Sequence, residues 1–317
     1  MSTTSPTPTP ARPARTRTAE GPATKGRRRR KMSVGDKIVV GLMVTVPTLL
    51  VVLLIWLPAL SSVLLGFTRW EGIGGLDTIQ WIGLTNYKNI FTIYPPFWPA
   101  LQHNLLFLIF LFLVSAFGMF LAVLLDKEIR GSRFYQTAYY LPVVLSLALT
   151  GFIWQLLYSR DQGLINAVTG LTIDWYGDPK YNLWAVMVAT GWQHAGYIML
   201  LYLAGLKSVD PALREAAAVD GASQSATFFR VILPVLRPIN LIVLVVTMIT
   251  SLRLFDLVWV INKGRNGLEL IAALVTQNII GEASRIGFGS ALATIMLLIS
   301  SVFVVIYLNV VFREAKQ

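Results

Sequence analysis

The sequence predicts an all-α, polytopic membrane protein with six transmembrane helices and one short helix at the water interface between the fourth and fifth. Three observations lead there. Of 317 residues, 55% are hydrophobic and only 14% charged, whereas a soluble domain carries about 25% charged residues. The charges that exist leave six long intervals almost empty of Asp, Glu, Lys and Arg. Hydrophobic alternation is weak, which argues against a β-barrel.

Residues 1–36 are rich in Thr, Pro, Ala and Arg and poor in large apolar side chains. Such a segment buries too little surface to offset its chain entropy, so it reads as a disordered basic tail. Its Arg27–Lys31 run precedes apolar sequence as in a signal peptide. The uncharged stretch that follows is longer than a signal core of ~7–15 residues, and the reading is a retained anchor. A bilayer core about 30 Å thick takes ~20 helical residues to cross. The six candidate spans are Ile38–Phe67, Leu101–Leu125, Tyr135–Tyr158, Leu183–Leu206, Ile239–Ile261 and Phe288–Phe312. In hydrocarbon every backbone N–H and C=O must be paired within its segment, so stretches this long are helices. The organisation expected is a tail over 1–36, a first span with its outer loop over 37–97, and a core of five spans over 98–314.

The net charge of +11 is concentrated in the tail, where residues 1–37 carry +8. No face of the remainder is basic enough to suggest a nucleic acid, and the partner implied is the lipid bilayer. With the tail inside, 19 Lys and Arg fall on the cytoplasmic side and 7 on the other. The positive-inside rule therefore places both termini in the cytoplasm, and the tail decides the vote.

The loop between the fourth and fifth spans, residues 208–234, has unusual local quality. Asp210 can cap a helix that starts at Pro211, Glu215 and three alanines extend it, and Gly221 supplies a left-handed stop before a second helical start at Ser223. A loop that only joined two spans would not need a short, stiff, exposed helix. This one is built to be gripped.

Glu215-Ala216-Ala217, three residues, Gly221, nine residues, then Val231-Ile232-Leu233-Pro234 resembles the cytoplasmic loop of permease subunits of binding-protein-dependent ABC importers. Asp220 and the flanks Ala204-Gly205-Leu206 and Leu236-Arg237-Pro238 are similar to the carbohydrate-uptake branch, the maltose-permease-like proteins of MetI-like fold. Further stretches resemble that branch: Gly83–Tyr87, Gly163–Asn166, Trp175 with Asp178-Pro179, Phe255-Asp256 and Phe288–Leu292. One departure is Lys263-Gly264-Arg265-Asn266-Gly267, where many relatives carry a Gly-Gly-Pro turn. The resemblance covers residues 37–314 and implies the type I ABC importer permease fold, in the cytoplasmic membrane of a bacterium. It implies a second, homologous permease subunit, two ATPase subunits that bind ATP and Mg, an extracellular sugar-binding protein and a carbohydrate substrate. It also implies that the helix from Pro211 to Asp220 seats in a cleft of an ATPase subunit. Glu215 and Asp220 would meet basic groups there, and Ala216, Ala217 and Gly221 would leave room for close approach.

Polar groups inside a span are costly and so are functional candidates. Trp192, Gln193 and His194 sit near mid-depth of the fourth span, where a sugar would find hydrogen-bonding groups and a stacking ring. The other reading is hydrogen bonding to a neighbouring helix. In the fifth span Arg253 and Asp256 stand at i, i+3 and can pair on one helix face, either lining a pathway or locking a helix contact. Gln102, His103 and Asn104 lie at the outer boundary of the second span and read as structural.

Several chemistries are missing. The chain has no Gly-Lys dipeptide, hence no phosphate-binding loop of the Gly-Lys-Ser/Thr type. With two histidines and no cysteine it offers no metal cluster and no plausible nucleophile, base and acid constellation. The chain itself is read as neither an enzyme nor a cofactor binder. A secondary transporter driven by an ion gradient is the competing class; it would need acidic ion sites within the spans, and Asp256 alone is thin support.

Overall fold

The computed structural model describes residues 33–127, 130–281 and 284–314. The stretch 1–32, which holds most of the segment read as a disordered tail, lies outside the described residues. Contacts divide the chain into two units, one ending at Ile55 and one starting at Trp56.

In the first unit, helix α1 (Val34–Val51) begins earlier than the sequence suggested. Ser33 caps it by accepting from the Asp36 amide at 3.1 Å, while the Asp36 carboxylate accepts from the Ser33 amide at 3.1 Å, a reciprocal capping box. Residues 33–36 therefore belong to the helix start, not to the tail. No residue of α1 is buried, and its apolar side chains face outward as lipid-exposed ones must. A π turn over Val52–Trp56 leads into α2 (Leu57–Leu65). Pro58 explains the turn, because its ring displaces the carbonyl four residues back and it has no N–H to give.

The second unit continues through a small ribbon, β1 (Thr68–Arg69) antiparallel to β2 (Gln80–Trp81), and helix α3 (Thr85–Thr92). Then come α4 (Phe97–Asp126), α5 (Ser132–Val144), α6 (Leu147–Leu157), α7 (Leu164–Thr169) and α8 (Asn182–Lys207). The connection after α8 holds α9 (Pro211–Val219), α10 (Gln224–Thr227), a π turn over Phe228–Ile232 and α11 (Leu233–Val235). The chain ends with α12 (Arg237–Arg253), α13 (Asp256–Asn262), α14 (Ile271–Ile279) and α15 (Ile286–Glu314).

Among the described residues, four helical stretches have the length and apolarity to cross a membrane on their own: Val34–Leu65, Phe97–Asp126, Arg237–Asn262 and Ile286–Asn309. The third span is not the single helix expected. It breaks between α5 and α6 with a bend of 104°, just after Pro142 and at Ser146, whose side chain caps α6 by accepting from the Leu149 amide. The fifth span is interrupted as well, at Leu254 and Phe255, between α12 and α13.

The fourth span is α8. Its 26 residues reach about 39 Å, enough to cross. It is less apolar than the others because it is the most enclosed helix and shows little surface to lipid. Its broadest interface is with α4. Gly118 of α4 permits this contact: a methyl there would meet the Ala195 carbonyl oxygen at 2.9 Å and Ile198 Cβ at 3.0 Å. Three clusters hold the second unit together. Phe107, Val186, Met187, Leu257 and Leu268 centre one; Leu121, Ile198, Met199, Tyr202 and Leu236 centre another near α9; Ile90, Phe97, Ile271 and Leu292 join α3, α4, α14 and α15.

Candidate functional site

The α9 segment is built from local sequence alone. The Asp210 carboxylate accepts from the Ala212 amide at 2.9 Å, and Pro211 occupies the first helical position, where no N–H is needed. At the far end Gly221 has φ +74°. The Ala222 amide donates to the Ala217 carbonyl and the Gly221 amide to the Ala218 carbonyl, the paired bonds of a Schellman stop. Ser223 then caps α10 by accepting from the Ala226 amide at 3.2 Å. Glu215, Ala216, Asp220 and Gly221 are exposed, and so is Val219, at 87%. Ala217 is buried. Its methyl faces this chain's own interior, so the room that Ala217 provides is for packing α9 against the rest of the protein and not for an outside partner.

On its inner side α9 is tied down by charge. Arg214 donates from Nη1 to Asp126 Oδ2 at 2.8 Å, and Lys207 Nζ lies 3.6 Å from Asp126 Oδ1. Beside this cluster a groove of about 690 Å³ runs between the end of α4 and residues 214–232, lined by Met119, Phe120, Val123, Phe228 and Phe229 among others.

The polar residues of the fourth span do not form one cluster. Consecutive helical positions point in different directions, and each of the three meets a different neighbour. Trp192 packs edge-on against Trp154 of α6 with ring centroids 5.7 Å apart. Gln193 donates from Nε2 to the Pro142 carbonyl at 3.0 Å and the Leu145 carbonyl at 2.9 Å. The Pro142 carbonyl otherwise accepts only from the Leu145 amide at 3.2 Å, in the last turn before the third span breaks, and Leu145 is the residue that ends that helix, so Gln193 ties down the break. His194 is buried, with Nε2 3.1 Å from Ser115 Oγ of α4 and 3.2 Å from Thr247 Oγ1 of α12, the two hydroxyls standing 2.9 Å apart. It joins three spans.

Gln193 and His194 nevertheless border a cavity of about 460 Å³ together with Thr190, Tyr197, Leu145, Arg253 and Asp256. Trp192 does not line it. Tyr197, one helical turn after Gln193, is the aromatic ring that does. Arg253 and Asp256 were expected to pair across one helical turn. Because the helix is interrupted at Leu254 and Phe255, no ion pair joins them; both are exposed at the cavity edge. A Gln193→Leu change removes the side-chain donor from both carbonyls and leaves Pro142 with the Leu145 amide alone. The expected result is destabilisation of about 2 kcal/mol, read as a lower unfolding temperature and increased amide exchange around residues 142–149.

At the opposite end of the spans from α9, the loop that departs from the family pattern is well ordered by its own chain. Lys263, Gly264, Asn266 and Gly267 all have positive φ. The Gln277 amide donates to the Lys263 and Gly264 carbonyls, and the Asn266 amide to the Gly177 carbonyl. His103 Nδ1 lies 2.9 Å from the Glu269 carbonyl, and Asn104 bridges the Ser251 carbonyl and the Ile271 amide. These two are structural, as the sequence suggested.

Residues 128–316 match the family model of the binding-protein-dependent transport system inner membrane component. The chain belongs to this family. It is a multi-pass membrane permease of the ABC transporter type. Among its relatives is a probable ABC transporter permease protein of Pyrococcus horikoshii, 33% identical over 274 residues, covering 83% of this chain and 92% of that one. A xylose/arabinose import permease protein of Haloferax volcanii is 35% identical over 248 residues, covering 74% of this chain and 76% of that one. The fold matches a chain in the crystal structure of a bacterial ABC transporter involved in the import of the acidic polysaccharide alginate. That match has a TM-score of 0.76 at 18% identity, over 88% of the permease and 97% of that chain.

Three residues of the permease's site escaped sequence reasoning. Asp126 and Arg214 are 88 positions apart, and only the fold brings them together. Tyr197 carried a legible signal, its i+4 spacing from Gln193, which places both on one helix face.

Proposed function

We propose that the permease is one transmembrane subunit of an ATP-driven importer of mono- or oligosaccharides. It forms half of a translocation pathway with a second, homologous permease. Two separate ATPase subunits bind ATP and Mg, and a sugar-binding protein outside the membrane delivers the substrate. The chain itself catalyses no reaction and holds no cofactor. Both termini and α9 face the cytoplasm, as the positive-inside rule favours. The observation that carries this reading is α9, a helix closed at both ends by its own sequence, anchored from beneath by Asp126 and exposing Glu215, Ala216 and Asp220. Closure of the ATPase pair on ATP would displace α9, and the bundle would answer by switching between two packed arrangements.

Sugar relatives support the substrate class: an arabinooligosaccharides transport system permease protein of Halalkalibacterium halodurans is 28% identical over 84% of this chain. The cavity beside the broken third span is the substrate contact region in this reading. Gln193, His194, Arg253 and Asp256 offer polar groups at its edge and Tyr197 offers a ring face, while Trp192 packs against Trp154 and has no part in the lining.

The test is uptake of labelled sugars into liposomes holding the permease, its companion permease and the ATPase subunits. Uptake should require both ATP and the binding protein and should survive collapse of ion gradients. A Glu215→Arg variant should insert normally yet lower uptake about tenfold, the loss expected when an interfacial charge meets like charge. Uptake by the chain alone, abolished by an ionophore, would establish the ion-driven class instead.

A further inference from the structure

We infer that Asp126 is a positioning residue that locks α9 to the α4–α8 pair, so that a displacement of α9 is delivered to both helices as one rigid movement. The inference rests on the reading of α9 as the ATPase contact and adds the element through which the movement passes.

Asp126 is the last residue of α4, and only 8% of its side chain is exposed. Enclosing a carboxylate is costly unless charged donors replace the hydrogen bonds that water no longer makes. Both cations come from elsewhere in the fold. Arg214, from the middle of α9, donates to Oδ2 at 2.8 Å; Lys207, the last residue of α8, approaches Oδ1 at 3.6 Å. Arg214 also reaches back from Nη2 to the Leu206 carbonyl at 3.4 Å, at the end of α8. One guanidinium therefore touches the ends of both helices. Each cation also lies where the partial negative charge of a helix C-terminus gathers.

The rest of the contact between α9 and the bundle is thin. Ala217 is the only buried residue of α9, and a methyl group resists sliding poorly. Directional, charge-assisted hydrogen bonds do resist it. The α4–α8 interface is the broadest in the second unit and is closed by Gly118 against Ala195, so a force applied at Asp126 moves a packed pair instead of one helix. On the other side α9 leads through α10 and a π turn into α12, a path with more joints.

The experiment uses the assembled importer in liposomes and reads sugar moved per ATP hydrolysed. Asp126→Asn keeps the shape and removes the charge; it should lower sugar moved per ATP about tenfold, the scale of one charge-assisted hydrogen bond, while ATP hydrolysis continues. Arg214→Gln should behave the same way, and Arg214→Lys, which keeps a cationic donor, should recover most of the ratio. Variants at Glu215 and Gly221 run in parallel test the underlying reading. Uncoupling at those two with native ratios in Asp126→Asn overturns the lock and leaves the reading intact; native ratios in all of them overturn both. Because the chain has no cysteine, spin labels at Leu113→Cys on α4 and Val219→Cys on α9 give a second readout independent of transport. Their distance should stay unchanged between nucleotide-free and ATP-bound importer, and should broaden in Asp126→Asn. A shift between those two states in the otherwise native chain overturns the lock, even if an Asp126 variant fails to assemble.

Discussion

Replacing Gly196 by leucine should abolish the folded permease. Gly196 is buried on α8, where α5 crosses it. A methyl group at this position would land on the Tyr139 carbonyl oxygen, with the carbonyl carbon 3.1 Å away. Both obstacles are backbone, so no rotamer change relieves the contact. Either α5 moves outward or α8 bends, and each alternative disturbs the hydrogen bonds from Gln193 to Pro142 and Leu145 three positions earlier. Overpacking in cores costs about 1–3 kcal/mol per insertion and more where the backbone must move. With leucine, the expected loss exceeds the margin of about 5–15 kcal/mol only if the break between α5 and α6 fails as well, and the geometry couples the two. Membrane fractions should hold little permease and detergent extracts no assembled importer. Gly196→Ala should show the same defect in weaker form, as a lowered unfolding temperature. A leucine variant that assembles and transports normally would mean that α5 and α8 are not in contact at this point.

What the sequence made legible follows the range of the physics involved. Lipid as solvent imposes its requirement residue by residue, so α4, α12 and α15 could be read as spans from composition alone. The α9 module was equally legible, since Asp210, Pro211 and Gly221 each act within four positions of themselves. The reading weakened where a helix is buried by other helices. In α8 the polar groups answer to neighbours: His194 to Ser115 and Thr247, Gln193 to a break more than 40 positions earlier. A one-dimensional reading sees polar residues at mid-depth and cannot say which are already spoken for.

The breaks in the third and fifth spans were missed for a related reason. Pro142 and Ser146 are a proline and a cap in the right order to end one helix and start another, yet the uncharged run from Tyr135 to Tyr158 also satisfies the arithmetic of a single crossing. Composition fixes that a segment is apolar, and the tertiary fold fixes its path. The same holds for Arg253 and Asp256. Their i, i+3 spacing promised an ion pair, and the extended ψ of 113° at Leu254 takes it away.

Gly221→Trp should leave the permease folded and assembled while removing most of its uptake. The two halves of that expectation have separate causes. Within the chain, a Cβ at Gly221 would meet nothing within 4 Å, so the first cost is conformational: φ is +74°, and an L-residue in the left-handed region loses roughly 1–2 kcal/mol. That is small beside the stability of a packed bundle. Toward the outside, the tryptophan ring would stand on the exposed end of α9, next to Asp220, on the surface that the proposed ATPase contact requires. Holding the helix out of its seat by one ring thickness should lower uptake by at least about tenfold, which corresponds to ~1.4 kcal/mol of lost coupling. Gly221→Asn separates the causes, because asparagine tolerates positive φ and adds little bulk; it should transport at near-native rates. Gly221→Ala, with the backbone cost and little bulk, should fall between the two. If alanine and tryptophan were equally harmful, the left-handed stop alone would account for the defect, and the outer surface at Gly221 would have no part in energising transport.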